Sequence, residues 1–247
     1  MRPLLQGCET EARRAQSAAG RASLTIPVAD GARVVNARGV PGSVGFLAVT
    51  RHDHRLVVVT AHHVLFGAGA PARTPVWLAH PLRGGSFERL GQSLYGRAGI
   101  VHGRASGVYV DCGVASIHWA NTRREVWPLD DPGPGAETSL TVGDRVTKVG
   151  AATGFTEGIV QDVSHRVPAV RHRAIEAPGQ LLVRSAVRGR PFAAEGDSGA
   201  AVRDGNGRIV GLLWASTAAG EGIATPIAPV LYVLHVTPVL WAPNDND

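Results

Sequence analysis

The stretch Glu195-Gly196-Asp197-Ser198-Gly199 holds the residue types that acyl transfer requires. A serine on a tight turn exposes its hydroxyl as a nucleophile, and backbone amides beside it can receive an oxyanion. Gly196 lets the chain approach closely and present its N–H, so the Gly196 and Ser198 amides are the candidate donors. Asp197 can anchor the loop from inside, and Gly199 leaves room for a substrate carbonyl. The same string also suits an ordinary turn, since every residue type in it favours turns. A hydroxyl is a weak nucleophile at neutral pH without a base, and the base needs an orienting carboxylate.

Both partners have candidates upstream. Leu56-Val57-Val58-Val59-Thr60 reads as a buried strand running into the polar turn Ala61-His62-His63. Val108-Tyr109-Val110-Asp111-Cys112-Gly113-Val114 is an apolar stretch with a single acid. That acid would be costly to bury unless hydrogen-bonded, and a histidine Nδ1–H would supply the bond. The chain order is His, Asp, Ser, which differs from the order in subtilisins and α/β-hydrolases. On these residues the chain resembles the trypsin-like serine peptidases, of the intracellular bacterial type. Thr60-Ala61-His62-His63 is similar to that family's Thr-Ala-x-His, Asp111-x-x-x-Ala115 to its acid segment, and Gly196-Asp197-Ser198-Gly199 to its nucleophile loop. The likeness runs from about Gly39 to Val239.

The resemblance implies an all-β fold of two packed six-stranded Greek-key β-barrels, with the active site in the cleft between them. It implies a serine protease with His63 as base, Asp111 as its orienting acid and Ser198 as nucleophile, and an oxyanion hole at Gly196 and Ser198. His62 is the rival base; the motif register favours His63. Counting back from Ser198, Phe192 falls where trypsin-like members carry a pocket-floor acid. Trp214, Ala215 and Ser216 fall on the strand that walls the substrate pocket, with Ser216 where glycine is common. Cleavage after a small or apolar residue is the expectation. No cofactor is implied, and the expected partner is a protein or peptide substrate.

Composition agrees with this architecture. A chain of 247 residues can bury a large core in one all-β unit. Its 31 glycines and 16 prolines, with scarce helical periodicity, favour many short strands joined by turns. The net charge is +5, and Lys148 is the only lysine among the basic residues. The arginines are scattered with no aromatic–basic motif, so no nucleic-acid partner is expected. No segment is long and apolar enough to span a membrane, and no membrane partner is expected. Two cysteines, Cys8 and Cys112, are too few for a disulfide framework, and no secretion signal is visible, so a cytoplasmic location is expected.

Taken in order, residues 1–30 form an N-terminal arm. Leu4, Cys8, Ala12, Ala15 and Ala19 fall at helical spacing there, a stripe that would bury little area. The arm is a frayed terminus, a propeptide or a docking segment for a regulatory partner. Residues 31–130 are the first barrel and carry His63 and Asp111. His52, Asp53, His54, His62 and His63 invite a zinc reading, but no cysteine pair or His-Glu-x-x-His helix supports it, and no metal is expected. Pro128 to Gly135 is the linker between halves. Residues 131–247 are the second barrel, with Thr153-Gly154-Phe155-Thr156-Glu157-Gly158 in a structural turn and strand and Asp204-Gly205-Asn206-Gly207 as a hairpin turn. Pro226 to His235 closes it as a short helix with Ile227, Val230, Leu231 and Leu234 on one face. Arg33-Val34-Val35-Asn36 faintly resembles a zymogen cleavage site, whose new N-terminus would pair with Asp197; the spacing to His63 is short for this. An internal arginine or backbone donors are the preferred partners of Asp197. The alternatives to a constitutive protease are a catalytically silent binding module and a partner-activated or autoprocessing protease of a stress or defence pathway.

Overall fold

The computed structural model describes residues 28–79, 85–102, 107–117, 140–168 and 176–239. The N-terminal stripe, the Pro128–Gly135 linker and the C-terminal tail lie outside them. Fourteen strands and two short helices follow in chain order. The first half contributes β1 (Arg33–Asn36), β2 (Pro41–Ser43), β3 (Phe46–Thr50), β4 (Leu56–Thr60), α1 (His62–Phe66), β5 (Pro75–Ala79), β6 (Phe87–His102) and β7 (Gly107–Ser116). The second half contributes β8 (Arg145–Gly150), β9 (Gly154–Val167), β10 (Ala177–Ser185), β11 (Ala201–Asp204), β12 (Ile209–Ser216), β13 (Gly222–Pro226), α2 (Ile227–Leu234) and β14 (Val236–Pro238).

The second-half strands close into a six-stranded barrel in the order β10-β13-β12-β11-β8-β9. The other sheet has eight strands in the order β14-β3-β4-β7-β6-β5-β1-β2 rather than the expected six. One of them, β14, comes from the far end of the chain and pairs with β3 through Val236↔Thr50 and Pro238↔Ala48. The reason is edge protection: β14 covers backbone groups of β3 that would otherwise template association. The second half is thus a closed barrel, and the C-terminal strand is given back to the first sheet.

Strand identity follows from the pattern. Val57, Val58 and Val59 are all buried, because β4 has apolar neighbours on both faces. Helix α2 presents Ile227, Val230, Leu231 and Leu234 as a buried stripe against Phe46, Val59, Val110, Cys112 and Val114 of the first sheet. Its amphipathic spacing puts it on the core, and it ends where His235 turns left-handed (φ 51°) and caps the last carbonyls. Val146, Val160, Val183, Phe192 and Leu213 fill the second barrel. The Asp204–Gly207 turn joins β11 to β12 as expected, with the Asp204 carboxylate accepting from the Asn206 and Arg208 amides. No helix among the described residues is long and apolar enough to cross a membrane.

Candidate active site

Strand β4 delivers the histidine. Thr60, at its end, is buried and donates its hydroxyl to the Ser43 carbonyl at 2.7 Å, which pins the point where the chain leaves the sheet. The one-turn helix α1 follows at once. His63 lies on it with its backbone N–H 3.1 Å from Asp111 Oδ1 and its ring Nδ1 3.0 Å from Asp111 Oδ2. Asp111 is 5% exposed on β7, and β7 pairs with β4 through Thr60↔Gly113, so the two residues are registered by adjacent strands. Both carboxylate oxygens therefore accept from one residue. An acceptor at Nδ1 requires Nδ1–H, which leaves Nε2 with the lone pair of a base. Burial disfavours the charged imidazole, but the hydrogen bond and negative charge of Asp111 outweigh it and hold the His63 pKa above its ordinary value. His62 faces elsewhere: its ring packs on Phe66 at 4.8 Å between centroids, and burial lowers its pKa.

The serine loop is built around Asp197. Its carboxylate is fully buried and accepts from the amides of Ala152 (2.9 Å), Thr153 (3.1 Å) and Ala194 (3.0 Å) and from the Thr153 hydroxyl (2.7 Å), with Lys148 Nζ at 3.2 Å. Burial alone would raise the Asp197 pKa; the Thr153 hydrogen bond, the Lys148 charge and the amides reverse that and lower it. Gly196 and Gly199 take φ of +99° and +97°, a region costly to any residue with a Cβ. A Cβ on Gly199 would also lie 2.0 Å from Thr60 Oγ1. Asp197, Gly199 and Ala200 direct their amides to the Ala194, Leu213 and Asp197 carbonyls. The Gly196 and Ser198 amides have no protein acceptor among the described residues.

The two halves meet at Ser43. Its amide donates to the Ser198 carbonyl at 2.8 Å and its hydroxyl to the Gly196 carbonyl at 2.9 Å, while it accepts from the Ala151 amide at 2.9 Å. A Cβ on Gly42 would touch both Val64 of α1 and the Ser198 carbonyl, so the helix bearing His63 and the serine loop abut. Ser198 Oγ donates to the Trp214 carbonyl at 3.2 Å.

Of the expected pocket residues, Trp214 is buried, Ala215 half-buried and Ser216 exposed along β12. Phe192 is 0% exposed, and its ring fills the barrel interior where a Cβ on Gly158 or Gly222 would strike it. A cavity of about 370 Å³ lies elsewhere, between β6 and α2, beside Tyr95, Arg97, His102 and Tyr232, and holds none of these residues.

Of the partners expected for Asp197, the backbone donors are present, while the cation beside it is Lys148, the chain's sole lysine, in place of an arginine. Val34, next to the disfavoured cleavage site at Arg33, is paired with both β2 and β5. Lys148, Thr153 and Ser43 were not anticipated as site residues. The one available signal was Lys148 itself, a lone lysine at an inward-alternating position between Val146 and Gly150.

No family model matches this sequence, and no curated protein matches it. Solved structures do. Thermobifida fusca Protease A superposes with a TM-score of 0.57 at 18% identity, covering 87% of this chain and 99% of its own. Nocardiopsis Protease gives 0.58 at 16% identity, with the same 87% and 99% coverage. Cellulomonas bogoriensis chymotrypsin gives 0.54 at 18% identity, covering 85% and 97%. At these identities the likeness establishes the fold, which is that of the trypsin-like serine peptidases.

Proposed function

We propose that the protein is a serine endopeptidase that hydrolyses peptide bonds through His63, Asp111 and Ser198. The observation that carries this is the two-point grip of Asp111 on His63, beside a serine loop with two amides that have no acceptor among the described residues. In the reaction Ser198 Oγ exchanges the Trp214 carbonyl for His63 Nε2, gives up its proton there and attacks the substrate carbonyl carbon. The Gly196 and Ser198 amides receive the oxyanion as the tetrahedral adduct forms. The imidazolium, stabilised by Asp111, then protonates the leaving amine, the C–N bond breaks and an acyl-serine remains. Water, deprotonated by His63, releases the acid and restores the hydroxyl.

The finer reading is cleavage after a small residue. Phe192 falls, by count from Ser198, where relatives carry a pocket-floor acid, and a buried apolar ring at that position would shorten the pocket. Small side chains fit such a site and large ones do not. A peptide-library cleavage profile tests this: release after Ala or Gly is expected, and release after Phe or Arg overturns it.

A second reading is a resting protease that a partner switches on, and the Ser198–Trp214 bond favours it. A fluorophosphonate probe tests the whole reading. The chain alone is expected to label at Ser198, and Ser198→Ala and His63→Ala to remain unlabelled. Labelling only after a partner is added selects the second reading. A folded chain that labels under neither condition points to a silent binding module.

A further inference from the structure

Gln180 is the largest polar side chain with no charge in the buried core, and nothing in the proposed chemistry uses it. It lies on β10 between two register shifts in the pairing with β9, just after Gly179 at φ +70°. Such bulges re-aim side chains. Here the irregular segment leans on the other half: a Cβ on Gly179 would touch the Val108 side chain at 3.0 Å.

The carboxamide uses both of its donors and accepts from an indole, with one hydroxyl proton shared between its oxygen and a backbone carbonyl. Nε2 donates to the Tyr109 carbonyl (2.9 Å) and the Pro178 carbonyl (2.8 Å). Oε1 accepts from Trp214 Nε1 (2.7 Å) and meets the Thr225 hydroxyl (3.3 Å), which also reaches the Tyr109 carbonyl at 3.2 Å. The orientation is forced, because an indole only donates and backbone carbonyls only accept. The rings of Tyr109 and Trp214 pack beside it, tilted by 50° with centroids 5.2 Å apart. Tyr109 stands two residues before Asp111 on β7, and the Trp214 carbonyl receives Ser198 Oγ. One buried amide thus ties the strand bearing the acid to the strand that touches the nucleophile.

We propose that Gln180 is a positioning residue that sets the register of β7 against β12, and through it the placement of Asp111 and His63 relative to Ser198. The proposal rests on the serine-nucleophile reading above. Ser43 fixes the halves at the loop; Gln180 fixes them underneath. A buried hydrogen-bonded network of this kind is rigid, and misplacement of catalytic groups by about 1 Å can cost a hundredfold in rate. Substrate does not reach Gln180, so its loss acts on turnover and not on binding.

The test is fluorophosphonate inactivation kinetics over a pH range on wild type, Gln180→Met, Gln180→Glu, Trp214→Phe and the Gln180→Met/Trp214→Phe double variant, each with a melting curve. Methionine keeps the volume and loses the bonds. Glutamate keeps the shape but turns an oxygen toward two carbonyls. Phenylalanine removes the indole donor from the network together with part of the ring that packs on Tyr109. The expected result is a maximal inactivation rate about tenfold to a hundredfold lower for Gln180→Met, with the saturation constant unchanged. Gln180→Glu is slower still. The acid limb of the profile moves to lower pH as the Asp111 grip on His63 loosens. The double variant is no slower than the worse single one, the mark of one shared interaction. A packing role alone lowers the melting temperature and leaves the limiting rate and the acid limb in place; that result, or effects that simply multiply in the double variant, overturns the proposal. If Gln180→Met does not fold, the acid limb of Trp214→Phe decides it: because Trp214 also lies on the expected pocket wall, its rate alone does not separate the two roles, whereas a pocket effect leaves the acid limb in place. A folded wild type that never labels overturns the serine-nucleophile reading and removes the clamp's purpose; a wild type that labels, with variants labelling equally fast, overturns the clamp alone.

Discussion

Two buried aspartates stand beside the candidate chemistry, and they are held in opposite ways. Among the described residues Asp111 accepts from His63 alone, through its backbone N–H and ring Nδ1. Asp197 accepts from three amides and a hydroxyl and has an ammonium alongside. The first arrangement leaves the carboxylate's charge facing a group that gains charge in the proposed reaction. The second neutralises the carboxylate within a fixed frame, so that it can hold a loop still. A carboxylate committed to many donors is a structural anchor; one committed to a single titratable partner tunes that partner.

Substitution at each aspartate sharpens this contrast. Asp111→Asn is expected to have the largest effect, a fall of about four orders of magnitude in turnover with the melting temperature little changed. The carboxamide can place its NH₂ toward Nδ1 and so favour the wrong imidazole tautomer. Asp197→Ala should do the reverse first: it strands the Lys148 ammonium in the core and costs about 3–5 kcal/mol in unfolding free energy, measured by urea titration. An Asp197→Ala chain as stable as wild type would break the comparison. Ser43→Ala removes the shared hydroxyl between halves and should cost about 1–2 kcal/mol, while leaving its backbone bond to Ser198 in place. The smallest effect is on pH dependence. Because the folded His63 pKa lies above its ordinary value, the protein loses its neutral base as pH falls through a point above about 6.5. Without the Asp111 charge only the lowering effect of burial remains, so the acid limb of the residual Asp111→Asn activity should move to lower pH.

The candidate chemistry was legible because it sits in short local strings. Thr60-Ala61-His62-His63 is a strand end with its turn, and Gly196 and Gly199 announce the left-handed backbone that the serine loop needs. The α2 stripe and the Asp204–Gly207 hairpin were equally local, set by helical period and turn chemistry. The pairings that hold these strings together were not legible. Ser43 reaches Gly196 across 153 residues, and Gln180 reaches Tyr109 across 71. Lys148 was visible as a lone lysine, but not as the cation under Asp197, because its direction depends on the closure of the second barrel. The position of Phe192 was found by counting, while its burial depends on the absence of side chains at Gly158 and Gly222.

Sequence alone determined which groups are available: a hydroxyl, an imidazole and a carboxylate in a given order, the glycines that let a loop bend, and the alternation that makes strands. Tertiary structure decided which of two histidines meets the acid, which amine neutralises Asp197, where the last strand pairs and where the Phe192 ring is buried. The physical reason is reach. Residue type and period act over a few neighbours, whereas a buried charge or amide takes its partner from whatever strand the packed fold lays beside it.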